Sequence, residues 1–210
     1  RRSSLIEQDV LNEKNMCYFI YGRMDPFFCI EMVGTFKIMT TAAAVEEKVV
    51  DLEKDHFHDS GSVNVDGSIL KCWKAGGHGD QTFLQVLQNS CNPGFVKLGQ
   101  LLGKERLFSY IDKFGFGKKT GIDLTGEGKG IIFDLNQVGN VELATTAFGQ
   151  GVSVTPIQQV TAISSIVNGG YLYKPYILKS INDAVTNNVI EEKYKLLVRR
   201  TISKETSATM

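Results

Sequence analysis

The segment at positions 88–95 reads Gln88-Asn89-Ser90-Cys91-Asn92-Pro93-Gly94-Phe95. It joins two predicted helices, one from about Asp80 to Asn89 and one that begins at Asn92. The proline after Asn92 suits a first helical turn, because its missing N–H would have no partner there anyway. Gly103 ends this second helix, and residues 104–114 form a third, with apolar side chains three and four positions apart. The centre of the chain is therefore predicted to be helical.

Further elements lie on both sides of this centre. The patterns predict helices at 34–47, 141–148 and 155–167, a hairpin at 63–73 that turns at Asp66-Gly67, a loop at 115–130, and a strand at 171–181 with a partner at 189–198. The alanine-rich middle of the first helix indicates close burial between other elements. Because helices group in the middle and strands lie towards the end, the order favours an α+β fold over alternating βαβ units.

Composition excludes several classes of protein. The chain has 210 residues, of which 42% are hydrophobic, and this suffices for the core of one domain. The 23 basic residues equal the 23 acidic ones, so no nucleic-acid partner is expected. No run of about 18 apolar residues occurs. The start lacks a methionine and an apolar targeting segment, and we expect a fragment that is truncated at both ends.

The cysteines and histidines show no metal-binding spacing along the chain. The four cysteines are Cys17, Cys29, Cys72 and Cys91. None forms a C-x-x-C pair or a zinc-type cluster with histidine, so neither a metal nor another cofactor is expected. His56 and His58 lie in a polar stretch and are interpreted as solvated loop histidines.

Three short motifs could carry chemistry. They are Gly34-Thr35-Phe36-Lys37, Ser90-Cys91-Asn92 and Lys119-Thr120-Gly121. With their surroundings, these motifs resemble the class B penicillin-binding transpeptidases, and in particular a sporulation-specific member. Enzymes of that family use S-x-x-K at a helix start, S-x-N between two helices, and K-T-G on a strand.

The resemblance rests on four signatures that occur in the order of the family. They lie at 71–79, 88–95, 114–124 and 148–156. The resemblance implies a β-lactamase/transpeptidase-like fold, in which a helical cluster packs on an antiparallel sheet. Residues 1–30 match poorly and are interpreted as a divergent N-terminal segment. Residues 31–210 are interpreted as a partial penicillin-binding transpeptidase domain.

The resemblance also implies roles in serine acylation. A lysine one helical turn after the nucleophilic serine can take the proton of its hydroxyl, and Lys37 matches that base. Ser90 matches the residue that relays a proton to the leaving amine, and Asn92 matches the residue that holds the substrate amide. The family's serine falls at Gly34, which has no side chain to acylate. Thr35 lies about 100° around the helix and is a poor substitute, so we expect impaired catalysis.

Two motifs imitate catalytic ones. Ser68 and Lys71 form the literal S-x-x-K of this sequence, but in a hairpin strand residues three apart point to opposite faces. Lys119-Thr120-Gly121 is a literal K-T-G, yet it lies in a glycine-rich loop rather than on a strand. We interpret Lys119 as a solvated loop lysine and expect the catalytic K-T-G beyond Met210.

Cys72 and Cys91 lie near this motif, and two interpretations remain open for them. The family works on the oxidising side of a membrane, where disulfides persist. A bridge between Cys72 and Cys91 would distort the cleft and could act as a redox switch. Alternatively, both residues are simply buried thiols.

The predicted function is that of a D,D-transpeptidase, which cross-links peptidoglycan by serine acyl transfer. Its expected partners are a peptidoglycan stem peptide or a β-lactam, together with a cell-wall glycosyltransferase. The expected location is the extracytoplasmic face of a bacterial membrane, with an N-terminal anchoring helix that this chain lacks. The alternative is a non-catalytic cell-wall binding or scaffold module, which keeps the cleft but not the reaction.

Overall fold

A computed structural model describes residues 33–210 of the chain. Residues 1–32 lie outside the described part, and with them the expected divergent segment, Cys17 and Cys29. The helices are α1 (Val33–Glu46), α2 (Phe83–Gln88), α3 (Asn92–Leu102), α4 (Lys104–Lys113), α5 (Asn140–Ala147), α6 (Pro156–Val167) and α7 (Lys204–Thr209). The strands are β1 (His56–Asp59), β2 (Ser62–Val65), β3 (Ser68–Lys71), β4 (Gly79–Thr82), β5 (Tyr171–Lys174), β6 (Ser180–Asn182), β7 (Val189–Glu192) and β8 (Leu196–Arg200).

Helix α1 passes through the middle of the helical cluster and contacts α3, α4 and α6. The side chains of Ala42, Ala43 and Ala44 are completely buried, which confirms the burial expected from the alanine-rich pattern. Small side chains allow neighbouring helices to approach closely, because nothing larger than a methyl group separates the backbones. The polar Thr40 is accommodated there because its hydroxyl donates to the Ala147 carbonyl at 2.7 Å.

Helix α3 is held tightly on two sides by glycines. A Cβ atom at Gly99 would lie 2.6 Å from the Cβ of Ala147 in α5, and one at Gly94 would lie 2.4 Å from a methyl group of Val86 in α2. These distances are shorter than van der Waals contact, so only glycine permits the observed packing. The N-terminus of α3, which begins at Asn92, is thereby fixed against α2.

The strands form four two-stranded antiparallel ladders in the described part of the chain: β1 with β4, β2 with β3, β5 with β8, and β6 with β7. The predicted hairpin is confirmed as β2 and β3, with Asp66 and Gly67 both at positive φ in its turn. Helices together with antiparallel ladders confirm the predicted α+β class. Among residues 33–210, no helix is long and apolar enough to cross a bilayer.

The predicted helix from Asp80 to Asn89 begins three residues too early. Asp80 lies in β4, opposite His58 of β1. The helix starts only after Thr82, whose hydroxyl accepts from the N–H of Gln85 while the Gln85 side chain accepts from the N–H of Thr82. This capping box is a stronger start signal than a single aspartate. The loop placement of His56 and His58 was also wrong, because both lie in strand β1, although both are exposed to solvent as expected.

Each of the two long strands that were predicted towards the C-terminus is divided into two shorter strands in the structure. The segment predicted as one strand at 171–181 contains β5 and β6, and its partner contains β7 and β8. Pro175 follows β5 and has no N–H to continue a ladder. Beyond it, the Asp123 carboxylate accepts from the N–H groups of Ile177 and Leu178 at 2.8 and 2.9 Å. A side chain from the 115–130 loop thus replaces a strand partner.

Candidate active site

Lys37 lies in α1, and its side chain is only 2% exposed. Its Nζ donates to the Ser90 carbonyl at 2.8 Å, to the Ser90 Oγ at 2.8 Å and to the Asn92 Oδ1 at 2.7 Å. Residues more than 50 positions apart in the sequence therefore meet in one cluster of hydrogen bonds. The structure brings together three of the four residues that the sequence analysis singled out for catalysis.

The surroundings of Lys37 favour a readily lost proton. Burial lowers the pKa of Lys37 from 10.5 to about 8, although nearby Cys91 and Cys72 act in the opposite direction. The Phe95 ring lies 5.3 Å from the Nζ, so part of the wall is apolar. Three acceptors match the three N–H bonds of a protonated amine and so offset part of the effect of burial. When Lys37 is neutral, the Ser90 hydroxyl can reverse and donate to its lone pair.

Ser90 lies in the tight turn between α2 and α3. It has a φ of +52°, a left-handed conformation that side-chain-bearing residues rarely adopt. Its N–H donates to the Leu87 carbonyl at 3.0 Å, and the next N–H, of Cys91, donates to the Val86 carbonyl at 3.0 Å. This backbone turn directs both the carbonyl and the hydroxyl of Ser90 towards Lys37. A strained residue held in this way is typical of functional sites.

Asn92 connects the start of α3 with the end of a strand. Its Oδ1 accepts from Lys37, and its Nδ2 donates to the carbonyl of Lys71 at 3.2 Å. With both ends of the amide engaged, the side chain has one defined orientation. The residue that caps α3 is Cys91, which makes no side-chain capping bond.

Gly34 lies in the first turn of α1, one helical turn before Lys37. It is exposed, and a Cβ atom built at this position would have no atom of the described residues within 4 Å. The backbone therefore leaves room for a larger side chain on the same face as Lys37. The adjacent Thr35 does not replace it, because the Thr35 Oγ1 is buried and has no hydrogen-bond partner in the part of the chain that the structure describes.

Neither imitating motif lies in a catalytic arrangement. Ser68 is half-buried on β3, whereas Lys71 is exposed, so the two side chains point to opposite faces as expected. Lys119 is exposed and lies in a loop. The neighbouring Thr120 donates through its N–H and its hydroxyl to Glu127, at 2.6 and 2.5 Å. These bonds give the Lys119-Thr120-Gly121 sequence a structural role in the loop.

Cys72 and Cys91 are free cysteines, half-buried and buried respectively. They lie beside Asp59 and His78, two residues to which the sequence analysis gave no role. The sequence signal was weak, because these four residues are separated by 6 to 13 positions and lie at the end of β1, after β3, before β4 and before α3. The glycines around His78 were the one local sign of an unusual backbone at this place.

Comparison with known proteins gives a consistent result. The sequence model for the penicillin binding protein transpeptidase domain matches residues 30–210. Stage V sporulation protein D of Bacillus subtilis is 59% identical over 189 residues, which are 90% of this chain and 29% of that protein. Penicillin-binding protein PbpB of Mycolicibacterium smegmatis is 31% identical over 83% of this chain and 26% of its own length. The chain thus spans less than a third of these relatives.

Solved structures agree with the sequence comparison. Penicillin-binding protein 3 of Mycobacterium tuberculosis, complexed with aztreonam, superposes with a TM-score of 0.78 and 27% identity, over 86% of this chain and 40% of that one. The D,D-transpeptidase domain of a peptidoglycan glycosyltransferase from Eggerthella lenta has the same fold, with a TM-score of 0.80 over 86% of this chain and 46% of that one. The resemblance expected from the four signatures is confirmed, and the chain belongs to the penicillin-binding protein transpeptidase family.

Proposed function

We propose that this chain forms the substrate cleft of a sporulation-type D,D-transpeptidase, in which glycine stands at the position of the nucleophile. The cleft would bind the D-Ala-D-Ala end of a peptidoglycan stem peptide, or a β-lactam that mimics it. The observation that carries the proposal is the convergence of Lys37, Ser90 and Asn92 one helical turn from Gly34. These side chains are those of the S-x-x-K and S-x-N motifs that serine acyl transfer uses, apart from the hydroxyl itself.

The roles of the three side chains follow from their contacts. Neutral Lys37 would take the proton of a nucleophile at position 34, and its lowered pKa supports this role. Ser90 is bonded to Lys37 and can pass that proton to a leaving group. The Asn92 amide can exchange its present bonds for bonds to the substrate amide. Without a hydroxyl at position 34 no acyl-enzyme forms, so the chain would bind its ligands reversibly.

The proposal extends to the place where such a ligand is found. Stem peptides are cross-linked outside the cytoplasmic membrane, so the domain, proposed as residues 31–210, would work at the extracytoplasmic face. The full-length protein would be held there by an N-terminal membrane helix and would act beside a cell-wall glycosyltransferase. Support for a β-lactam ligand comes from the aztreonam and ampicillin complexes of penicillin-binding protein 3 of M. tuberculosis.

A second candidate is a non-catalytic binding or scaffold module, which Gly34 specifically favours. The two functions differ in whether a serine introduced at position 34 would restore acylation. In a silenced enzyme the remaining groups are still competent, whereas a scaffold would be free to lose the alignment of Lys37 with Ser90. The observed 2.8 Å bond between these two residues favours the silenced enzyme.

A fluorescent penicillin tests the proposal on the unmodified chain. Under native conditions we expect its fluorescence anisotropy to rise on binding and to fall again when unlabelled penicillin competes. After denaturation, no fluorescence should remain with the protein. Label that survives denaturation would contradict the proposal, and its loss in Ser68→Ala would identify Ser68 as the nucleophile instead. If unlabelled penicillin displaces no bound fluorescent penicillin, the proposed ligand-binding cleft is refuted as well.

A further inference from the structure

Four potential metal ligands converge behind the candidate active site. The ligand atoms of Asp59, Cys72, His78 and Cys91 all lie within 4.8 Å of one another. Asp59 and Cys91 are buried, the His78 side chain is 6% exposed, and Cys72 is half-buried. Two sulfurs, one imidazole nitrogen and one carboxylate oxygen form a donor set that suits zinc, which binds these three ligand types in closed tetrahedral sites.

The distances between the ligand atoms fit one ion at their centre. His78 Nδ1 lies 2.9 Å from Asp59 Oδ2 and 3.4 Å from Cys72 Sγ, and Cys91 Sγ lies 3.2 Å from the same Oδ2. Around tetrahedral zinc, with ligands at about 2.0–2.3 Å, neighbouring ligand atoms are separated by about 3.3–3.8 Å. These three pairs would need to change by a few tenths of an ångström, and any pair near the 4.8 Å limit would need to close by about 1 Å, to accommodate the ion.

The backbone around the cluster holds the ligands in place. The other carboxylate oxygen of Asp59, Oδ1, accepts from the Gly61 N–H at 2.8 Å, so Oδ2 remains directed at the centre. A Cβ atom at Gly77 would lie 2.2 Å from the Asp59 carbonyl, so only glycine lets the loop bring His78 this close. In metal sites, hydrogen bonds and packing around the ligands, such as those at Asp59 and Gly77, orient the ligands.

We propose that Asp59, Cys72, His78 and Cys91 bind a structural zinc ion. Binding would release the two thiol protons to solvent, and His78 would coordinate as the neutral imidazole through Nδ1. The ion would join the end of β1, the residue after β3, the loop before β4 and the residue that caps α3. All four ligands close the coordination shell, so the ion supplies stability and no open position for catalysis.

The position of Cys91 gives this ion a consequence for the active site. Cys91 lies between Ser90 and Asn92, the two residues that contact Lys37. Cys72 directly follows Lys71, whose carbonyl accepts from Asn92. Zinc would thus fix both sides of the Ser90-Cys91-Asn92 turn. This role is independent of whether position 34 carries a nucleophile.

Metal analysis of the purified, reduced chain tests the site directly. We expect about one zinc per chain after dialysis and release of about two protons per ion on reloading the metal-free protein. Cobalt(II) should replace zinc and give the visible bands of tetrahedral cobalt with a thiolate-to-cobalt charge-transfer band. Octahedral cobalt spectra, or no retained metal, would overturn the proposal.

Substitutions identify the ligands. Asp59→Asn and Cys72→Ala should each weaken zinc binding about 100-fold or more, since the loss of outer partners alone costs about 10–100-fold. The matched controls are His58→Ala, on the exposed face of β1, and Cys29→Ala, outside the described residues; neither should change the affinity. Equal zinc binding in Cys72→Ala and the unmodified chain would refute the assignment. So would a chain isolated from cells with a Cys72–Cys91 disulfide, detected by peptide mapping, that binds no zinc after reduction.

Discussion

The Nζ of Lys37 lies 2.8 Å from the Oγ of Ser90, although 53 positions separate these residues in the sequence. This bond connects the first turns of α1 with the turn before α3, and Asn92 adds a second contact at 2.7 Å. The amine, the hydroxyl and the amide to which we assign roles in serine acyl transfer therefore meet in one hydrogen-bonded cluster. The predictions below test whether this assembly has the chemistry that its geometry indicates.

The first prediction concerns the stability of the folded chain as a function of pH. The pKa of Lys37 is about 8 in the folded protein, and it returns to the ordinary lysine value of 10.5 when the chain unfolds, so between these values the unfolded chain binds more protons. Stability should therefore rise as pH increases from 8 to 10.5, by on the order of 2 kcal/mol. Urea unfolding of the unmodified chain and of Lys37→Met measures this difference. A constant difference between the two proteins across this range would show that Lys37 titrates normally.

The second prediction concerns the backbone beneath the ligand cluster. Gly76 and Gly77 both have positive φ, at +78° and +76°, but only a Cβ at Gly77 would collide, 2.2 Å from the Asp59 carbonyl. Gly76→Ala should lower the free energy of unfolding by about 1–2 kcal/mol, the cost of the left-handed conformation alone. Gly77→Ala should lower it by about 3–5 kcal/mol, since the loop must also move. Equal effects in urea unfolding would contradict the close packing of this loop.

The third prediction separates the imitating motifs from the candidate site. In a Gly34→Ser background, Ser68→Ala and Lys119→Ala should leave the rate of penicillin acylation within about twofold. Ser68 lies on the opposite face of β3 from Lys71, and Lys119 is exposed in a loop. Time courses with a fluorescent penicillin measure these rates. A tenfold lower acylation rate in either variant would show that the corresponding motif takes part in the reaction.

The fourth prediction concerns the pH profile of the same reaction. A base must be neutral to accept a proton, so acylation of the Gly34→Ser chain should be slow below pH 7 and rise through about pH 8, the pKa of Lys37. At high pH the rate should level off, because most of the lysine is then neutral. A rate that does not depend on pH between 7 and 9 would exclude Lys37 as the base.

Much of this fold could be predicted from the sequence because its signals are local. Helix α3 is marked by Pro93 at its start and Gly103 at its end, and the hairpin is marked by Asp66 and Gly67. The start of α2 was misplaced because β4 pairs with β1, whose partner residues are 20 to 26 positions away. Such pairing depends on tertiary contacts that no single window of sequence contains.

The candidate site was predicted only in part, for the same reason. The ordered signatures led to Lys37, Ser90 and Asn92, but spacing alone could not show that their side chains meet. Of the ligand cluster, the sequence indicated Cys72 and Cys91 as a pair, but Asp59 and His78 were missed. The cluster's residues are brought together by a strand end, a glycine loop and a helix start, so the linear spacing resembles no known metal motif.

The most direct test of the account is the acylation of Gly34→Ser by penicillin, compared with Gly34→Ser/Lys37→Met. Within residues 33–210, nothing lies within 4 Å of a Cβ at position 34, so the serine should fit without disturbing α1. We predict a covalent adduct that peptide mapping locates at position 34, with a rate at least about 100-fold lower when Lys37 is replaced. A Gly34→Ser chain whose adduct lies at another residue, or one that reacts equally well without Lys37, would contradict the account.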